Sequence, residues 1–122
     1  MKYKREETFR YVIVEKLNCK FKIISARGQQ FDSSYSNGDL LDISPSGLKI
    51  FSPLDISPQK NVVFYVEFTL NNQPIKLNAT LIWKKNVGNG YQYGLKHHGS
   101  KEEVRMLIEE LKIYAKKQPP LK

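Results

Sequence analysis

The segment VVFYVEFTLNNQPIKLNATLIW, residues 62–83, contains two runs in which apolar and polar side chains alternate. The apolar members are Val62, Phe64, Val66, Phe68 and Leu70 in the first run, and Ile75, Leu77, Ala79, Leu81 and Trp83 in the second. Alternation of period two is typical of a strand that buries one face. Because NNQP turns the chain between the runs, the segment predicts an antiparallel β-hairpin.

Outward from this hairpin, other short segments are also rich in β-branched and aromatic residues, which favour strands. These predicted strands are 9–17, 20–27, 47–51 and 91–97. Turns are predicted at LNCK, residues 17–20, and at NVGNG, residues 86–90. The polar segment 28–39 predicts a loop. The pattern indicates a closed or nearly closed antiparallel sheet of about six strands.

The apolar spacing changes to that of a helix in residues 100–117. The predicted buried stripe is Val104, Leu107, Ile108, Leu111 and Tyr114, with Ala115 beside it. Ser100 and Glu103 have the spacing of a capping box, which indicates where the helix begins. The predicted fold is therefore mostly β: a small six-stranded antiparallel β-barrel with one C-terminal α-helix packed on it.

The chain has 122 residues, a length that suits one domain with one core. We divide it into a flexible basic arm at 1–8, the barrel and helix at 9–117, and a tail at 118–122. Its formal net charge is +8. Such a charge favours polyanionic or phosphate-bearing partners without choosing among them, and it also fits surface lysines that only confer solubility.

Cys19 is the one cysteine of the sequence, so an internal disulfide is excluded and no oxidising compartment is indicated. The first 16 residues contain no apolar run long enough for a signal peptide or a membrane span. We therefore expect a cytoplasmic protein without membrane insertion.

DISPSGLKI, residues 42–50, places Asp42, Ser44 and Gly47 in the pattern D-x-S-x-x-G. An aspartate accepts hydrogen bonds from N–H donors, such as those on the Watson–Crick edge of guanine, and the serine hydroxyl can act beside it. Gly47 allows a positive φ or a close approach of another backbone. The same residues also fit a purely structural turn, of the Asx or serine type, that ends at the glycine.

The order of these features resembles the PilZ family, the bacterial receptors for cyclic di-GMP. The resemblance covers residues 5–115, and its most specific part is DISPSG followed by the apolar LKIF, with weaker support from QYGLKH. It implies a six-stranded β-barrel with a C-terminal helix, in agreement with the predicted elements. It also implies that Asp42 and Ser44 contact a guanine while Gly47 shapes the turn.

The resemblance further implies that arginines of an R-x-x-x-R motif on the N-terminal arm hold the ligand. Here Arg5 and Arg10 form R-x-x-x-x-R, and Glu6 stands where an arginine is expected. Arg5 and Arg10 are the predicted ligand residues of the arm, with Arg10 the stronger candidate. Glu6 would repel an anionic ligand, and the arm could also be no more than a solvated basic segment.

No residue pattern indicates catalysis, a metal site or a cofactor, so an enzyme is not expected. His97 and His98 are adjacent, and on a strand they would point to opposite faces, which disfavours a shared metal ion. Cys19 has no histidine at a motif spacing, which disfavours a nucleophile.

Three functions remain open at this point. The first is a cyclic di-GMP receptor that orders residues 1–10 on binding and signals to a separate, unidentified output protein in motility or biofilm regulation. The second is a PilZ-like adaptor that has lost the nucleotide because of Glu6. The third is a barrel that binds single-stranded nucleic acid, which we disfavour because the lysines are spread along the chain.

Overall fold

The computed structural model of the chain describes residues 10–13, 16–30, 32–58 and 61–117. This part of the chain forms eight strands and one helix. They are β1 (Tyr11–Val12), β2 (Asn18–Ala26), β3 (Gln29–Gln30), β4 (Ser36–Ile43), β5 (Gly47–Ser52), β6 (Val63–Leu70), β7 (Gln73–Asn86), β8 (Tyr91–His97) and α1 (Lys101–Lys117). The predicted arm at 1–8 and tail at 118–122 lie outside the described residues and stay predictions.

Six strands close into an antiparallel barrel in the order β4, β5, β8, β7, β6 and β2, and β2 pairs again with β4. Closure gives each of the six barrel strands a paired neighbour on both sides, so none of them is an edge strand. The two-residue strands β1 and β3 are additions, the first on β4 and the second on β2. The predicted barrel with one C-terminal helix is therefore confirmed.

The central hairpin β6–β7 follows the sequence pattern closely. Leu70 pairs with Gln73, and the two residues between them, Asn71 and Asn72, have φ angles of 52° and 66°. Two successive left-handed residues match the twist of the flanking strands, and asparagine tolerates this conformation well. All five predicted inward residues of the first run are buried. The turn is thus tighter than the NNQP segment suggested.

Aromatic rings fill the barrel interior. The rings of Phe21 and Phe64 stack with centroids 5.3 Å apart, and Tyr93 lies 5.9 Å from Phe64. The Tyr93 hydroxyl donates to the Leu54 carbonyl and accepts from the Ile56 amide at 2.8 Å, so it ties the β5–β6 loop to the core. Burial is the main cause of the raised pKa of Tyr93.

Helix α1 covers the barrel with Leu107 and Leu111, which are buried. The capping box at its start is present. The Ser100 amide donates to Glu103 Oε1 at 2.8 Å, and the Glu103 amide donates to Ser100 Oγ at 3.1 Å. Asn71, in the β6–β7 turn, donates through its side-chain amide to the Glu110 carbonyl at 2.9 Å, which fixes the helix against that hairpin.

Two connections predicted from polar composition are wrong in part. The predicted turn 17–20 instead contains the start of β2, at Asn18. The predicted loop 28–39 contains β3 and the start of β4, which begins at Ser36. The start of β2 and the start of β4 pair with each other, and β3 pairs with the end of β2. Such backbone pairing does not depend on apolar side chains. The predicted strand 9–17 is also too long: among its described residues, only the two residues of β1 form a strand.

Trp83 was expected to face inward with Leu81, and this expectation is also wrong. Leu81 pairs with Leu95, but Trp83 pairs with the next residue of β8, Gly94, so Ile82 is an extra residue in β7. Such a β-bulge shifts the alternation of side chains by one position. As a result, Ile82 and Trp83 are 58% and 42% exposed.

Candidate functional site

An open groove of about 450 Å³ lies on the barrel wall, between the β4–β5 turn and the paired strands β7 and β8. It brings together four of the five ligand residues predicted from the sequence, Arg10, Asp42, Ser44 and Gly47. The fifth, Arg5, lies outside the described residues. The motif therefore faces the surface rather than the barrel interior, as a binding role requires.

The D-x-S-x-x-G motif forms the hairpin turn between β4 and β5. The Ser44 amide donates to the Gly47 carbonyl at 2.8 Å, and the Ser44 hydroxyl donates to the same oxygen at 3.3 Å. The serine therefore has the structural role of a turn residue. Its hydroxyl oxygen keeps lone pairs with which it can accept a hydrogen bond from a ligand.

Gly47 is required because another strand passes very close to it. A Cβ built on Gly47 would lie 2.3 Å from the carbonyl oxygen of Leu95 in β8. The positive φ angles of described glycines are those of Gly28 and Gly88. Of the two roles that the sequence allowed for Gly47, close backbone approach is thus the one that holds. It lets β8 pack against the turn, where the His97 amide donates to the Ser46 carbonyl at 3.0 Å.

Asp42 lies at the base of the groove between two cations. Its carboxylate oxygen Oδ2 is 3.6 Å from Arg10 Nη1 and 3.4 Å from Lys49 Nζ, and its side chain is 10% exposed. Strand β1 brings Arg10 here, since Val12 pairs with Asp42. Lys49 arrives as the direct cross-strand partner of Asp42 in β5. The carboxylate is compensated on both sides, which lowers the cost of burying it.

Sequence reasoning overlooked Lys49, although a signal for it existed. Residues 47 and 49 of a strand share one face, so a side chain two positions after Gly47 is placed beside the motif. Lys96, on β8, also lines the groove and is exposed. Among the described lining residues, Asp42 is the one carboxylate against the cations Arg10, Lys49 and Lys96. The groove therefore suits a ligand that has N–H donors and negative charge.

Trp83 is the second residue that sequence reasoning misplaced, and it too lines the groove. Its indole lies directly over Gly94, where a Cβ would overlap ring atoms Nε1, Cε2 and Cδ1. No pattern in the sequence predicts the β-bulge that turns Trp83 outward, so only the three-dimensional structure places this ring in the site.

The side chains considered for metal binding or for nucleophilic chemistry, those of His97, His98 and Cys19, do not line the groove. His97 is buried and His98 is exposed, on opposite faces as predicted. Burial raises the pKa of the Cys19 thiol to about 12, with a contribution from the Asp39 carboxylate, so the reactive thiolate is disfavoured at neutral pH. In the described ranges, no three His, Cys, Asp or Glu side chains are grouped so as to hold a metal ion. No helix within them has the length and apolar character needed to cross a membrane.

Comparison with known proteins gives a consistent family assignment. The family model for the PilZ domain matches residues 4–112. A sequence comparison with curated proteins gives no match.

Three solved structures share the fold of the described chain at low sequence identity. The PilZ domain of YcgR from Escherichia coli, solved with c-di-GMP, has a TM-score of 0.66 and 16% identity, with 93% of each chain covered. The inhibitor of motility MotI from Bacillus subtilis has a TM-score of 0.65 and 12% identity, covering 97% of this chain and 55% of that one. The PilZ domain of CeSA from a cellulose-synthesizing bacterium has a TM-score of 0.57 and 20% identity, with coverages of 86% and 99%.

Proposed function

Because the chain belongs to the PilZ domain family, we propose that it is a receptor that binds cyclic di-GMP in the groove and signals to a partner protein. One observation carries the proposal. Arg10, from the predicted arginine motif, and Asp42, from the D-x-S-x-x-G motif, line the same open groove and lie 3.6 Å apart. Two motifs that are distant in sequence thus converge where one ligand can contact both.

In this proposal, the acidic side of the site holds a guanine. The Asp42 carboxylate accepts hydrogen bonds from N–H groups of the base edge, and the Ser44 hydroxyl oxygen accepts beside it. Charge-assisted hydrogen bonds of this kind are shorter and stronger than neutral ones. Gly47 contributes through the turn, because it keeps the close packing of β8 that sets the positions of Asp42 and Ser44.

The cations of the groove hold the two phosphates of the ligand. The side chain of Arg10 is 57% exposed, so its guanidinium can donate to a phosphate or to guanine O6 and N7. Lys49 and Lys96 add positive charge from the barrel side. Arg5 would add a further cation from the arm, while Glu6 removes the one expected there.

Signalling follows from ordering of the arm. Binding would fix residues 1–10 over the groove, since Arg10 already belongs to it, and would present a new surface to an output protein. We propose that this partner acts in motility or biofilm formation in a bacterial cytoplasm, and that the chain has no catalytic activity of its own.

Isothermal titration calorimetry with cyclic di-GMP tests the proposal. The wild-type protein should bind with micromolar or tighter affinity. Arg10→Ala and Asp42→Ala should each weaken binding roughly tenfold to a hundredfold, because each removes a charge-assisted contact. Arg105→Ala on α1 and Asp32→Ala are matched controls, since both side chains are well exposed and neither lines the groove.

Two outcomes would overturn the mechanism: wild-type protein that gives no heat, or unaltered binding in both groove variants. If the wild type were silent and Glu6→Arg bound the nucleotide, the chain would be an adaptor that has lost its ligand. A steep salt dependence of oligonucleotide binding would instead support the nucleic-acid function.

A further inference from the structure

A cleft of about 400 Å³ lies along helix α1 and shares no described lining residue with the groove. Gly99, just before the helix, contributes to its lining, and the other described lining residues belong to α1. They are Lys101, Val104, Arg105, Ile108, Glu109 and Lys112. One stretch of chain therefore supplies all of the described wall of this helix cleft.

The floor of the helix cleft is apolar. Val104 and Ile108 are half-buried and lie one helical turn apart, so they form a strip along one side of α1. The residues with which α1 covers the barrel, Leu107 and Leu111, are buried instead. Val104 and Ile108 therefore offer apolar surface to a further occupant, beside the packed face of the helix.

The rim of the helix cleft is cationic. Lys101 and Lys112 are exposed, and in the described part of the chain neither forms an ion pair. Arg105 differs from them, because its Nη2 lies 4.0 Å from Glu102 Oε2. Glu109 is the one carboxylate among the described lining residues. The helix cleft thus suits an occupant that combines carboxylates with an apolar side chain.

Strand β1 directs the N-terminal segment past the β4–β5 turn. Tyr11 pairs with Ile43 in antiparallel register, so the chain before it, traced backwards through Arg10, continues towards that turn. In the turn, the Ser46 carbonyl accepts from the His97 amide at 3.0 Å. Because His97 ends β8 and α1 follows it closely, the segment is directed towards the start of the helix cleft.

Residues 1–9 are long enough to reach any part of the helix cleft. The ring of Tyr11 contacts the ring of Tyr114 in α1, with centroids 5.8 Å apart, so the segment starts out beside the helix. An extended segment of this length spans up to about 30 Å. The 17-residue helix is about 26 Å long, so either end of the helix cleft is within reach.

Residues 1–9 also match the helix cleft in chemistry. Glu6 and Glu7 are adjacent carboxylates that can pair with the cations of the rim. Tyr3 and Phe9 are aromatic side chains that can cover the apolar floor. Glu6 is also the residue that departs from the expected arginine motif, and the helix cleft gives this departure a use.

We propose that, in the nucleotide-free protein, residues 1–9 dock in the helix cleft through Glu6 and Glu7, and that this docking competes with nucleotide binding. The competition rests on the proposed function, in which Arg5 approaches the ligand. Arg5 directly precedes Glu6, so the segment cannot occupy the groove and the helix cleft together. Docking therefore raises the apparent dissociation constant for cyclic di-GMP, because only the undocked fraction of the protein is competent to bind.

The first test measures docking without nucleotide, by the rate at which chymotrypsin cleaves after Tyr3 in the full chain. Cleavage requires the undocked segment, so its rate reports the undocked fraction. Lys101→Glu with Lys112→Glu reverses the charge at both ends of the helix cleft. This rim variant should be cleaved about 3- to 10-fold faster, as expected for the loss of one or two exposed ion pairs. Mass spectrometry of the shortened chain gives the rate.

A charge swap makes this test specific. Glu6→Lys with Glu7→Lys should also accelerate cleavage after Tyr3. The four substitutions together should restore a rate near that of the wild type, because opposite charges face each other again. Lys16→Glu with Lys85→Glu is the matched control. It makes the same change in net charge at two exposed lysines that line neither the groove nor the helix cleft, so the rate should stay unchanged.

The second test measures the affinity for cyclic di-GMP by calorimetry. The rim variant should bind about 3- to 10-fold more tightly than the wild type, because its N-terminal segment is free to approach the ligand. Removal of positive charge would otherwise weaken the binding of an anion. The sign of the change therefore distinguishes release of the segment from a general electrostatic effect.

The outcomes separate this inference from the function on which it rests. If the wild type binds cyclic di-GMP but is cleaved as fast as the rim variant, docking is wrong and the receptor function stands. If the wild type gives no heat with cyclic di-GMP, the receptor function and the competition are wrong, while protection restored by the charge swap still supports docking.

Two further results would overturn the docking. One is a charge swap that leaves cleavage as fast as in the separate variants. The other is a wild-type dimer in sedimentation that the rim variant converts to a monomer, since the helix cleft would then hold a second copy of the chain.

Discussion

Replacing Gly47 by alanine should destabilise the barrel, even though alanine adds only a methyl group. That methyl carbon would lie 2.3 Å from the Leu95 carbonyl oxygen, whereas ordinary van der Waals contact begins at 3.4 Å. Strands β5 and β8 must therefore separate locally by about 1 Å. Both contacting partners are strand backbone, so a side-chain rotation cannot relieve the overlap.

The magnitude follows from what the separation disrupts. Gly47 begins a ladder of six residue pairs between β5 and β8, and a shift of about 1 Å breaks the one or two hydrogen bonds nearest to it. Each contributes about 0.5–1.5 kcal/mol, and overpacking costs typically about 1–3 kcal/mol. Alanine recovers roughly 0.5–1 kcal/mol by restricting the unfolded chain. We expect a net loss of about 2–3 kcal/mol in the free energy of unfolding, near 10 °C in Tm.

Urea denaturation followed by circular dichroism measures this loss. Ser46→Ala is the control in the same turn, because Ser46 has an exposed side chain and should change the free energy of unfolding by less than about 0.5 kcal/mol. A Gly47→Ala protein as stable as the wild type would show that β8 does not pack against the turn as described. The glycine would then have to act on the ligand directly.

Three further predictions concern stability. Tyr93→Phe removes the hydroxyl that holds the β5–β6 loop, so urea denaturation should show a loss of about 1–3 kcal/mol, with faster amide exchange in residues 53–56. Ser100→Ala removes the cap of α1 and should cost about 1 kcal/mol, while Ser100→Asp should retain most of the stability. Burial raises the pKa of Cys19 from 9.0 to about 12, so its contribution to stability is complete below pH 9 and is lost as the pH rises towards 12. As the pH rises from 9 to 12, the free energy of unfolding of Cys19→Ala should therefore fall less than that of the wild type. An equal fall in both proteins would contradict the raised pKa of Cys19.

The sequence was sufficient to predict the elements whose structure depends only on the pattern of their own side chains. The positions of the hairpin at 62–83 and of the helix at 100–117 were predicted correctly. The side chains that they bury were also predicted for the most part, with Trp83 as the exception in the hairpin. In both, a regular apolar period must face the core, and local signals such as the two asparagines of the turn mark the ends.

The polar connections were harder to predict because neighbouring strands, rather than local composition, decide their conformation. The start of β4 pairs with β2 on one side, where Cys19 is the partner of Gly38. On its other side β4 pairs with β5, and Gly38 permits a close approach there, since a Cβ at this position would lie 2.7 Å from the Phe51 carbonyl oxygen. Backbone hydrogen bonding stabilises polar strands as well as apolar ones, so composition identifies them poorly.

The features of the candidate site likewise fall into those that the sequence determined and those that only the tertiary structure decided. The sequence by itself determined the PilZ-like barrel and the identity of Arg10, Asp42, Ser44 and Gly47 as motif residues, because motif spacing and strand alternation are properties of the chain. Tertiary structure alone decided that Lys49 flanks Asp42, that β8 requires a glycine at position 47, and that the β7 bulge turns Trp83 into the groove. These three facts depend on which strands become neighbours when the barrel closes, and a one-residue shift in pairing is enough to move a side chain from the core to the surface.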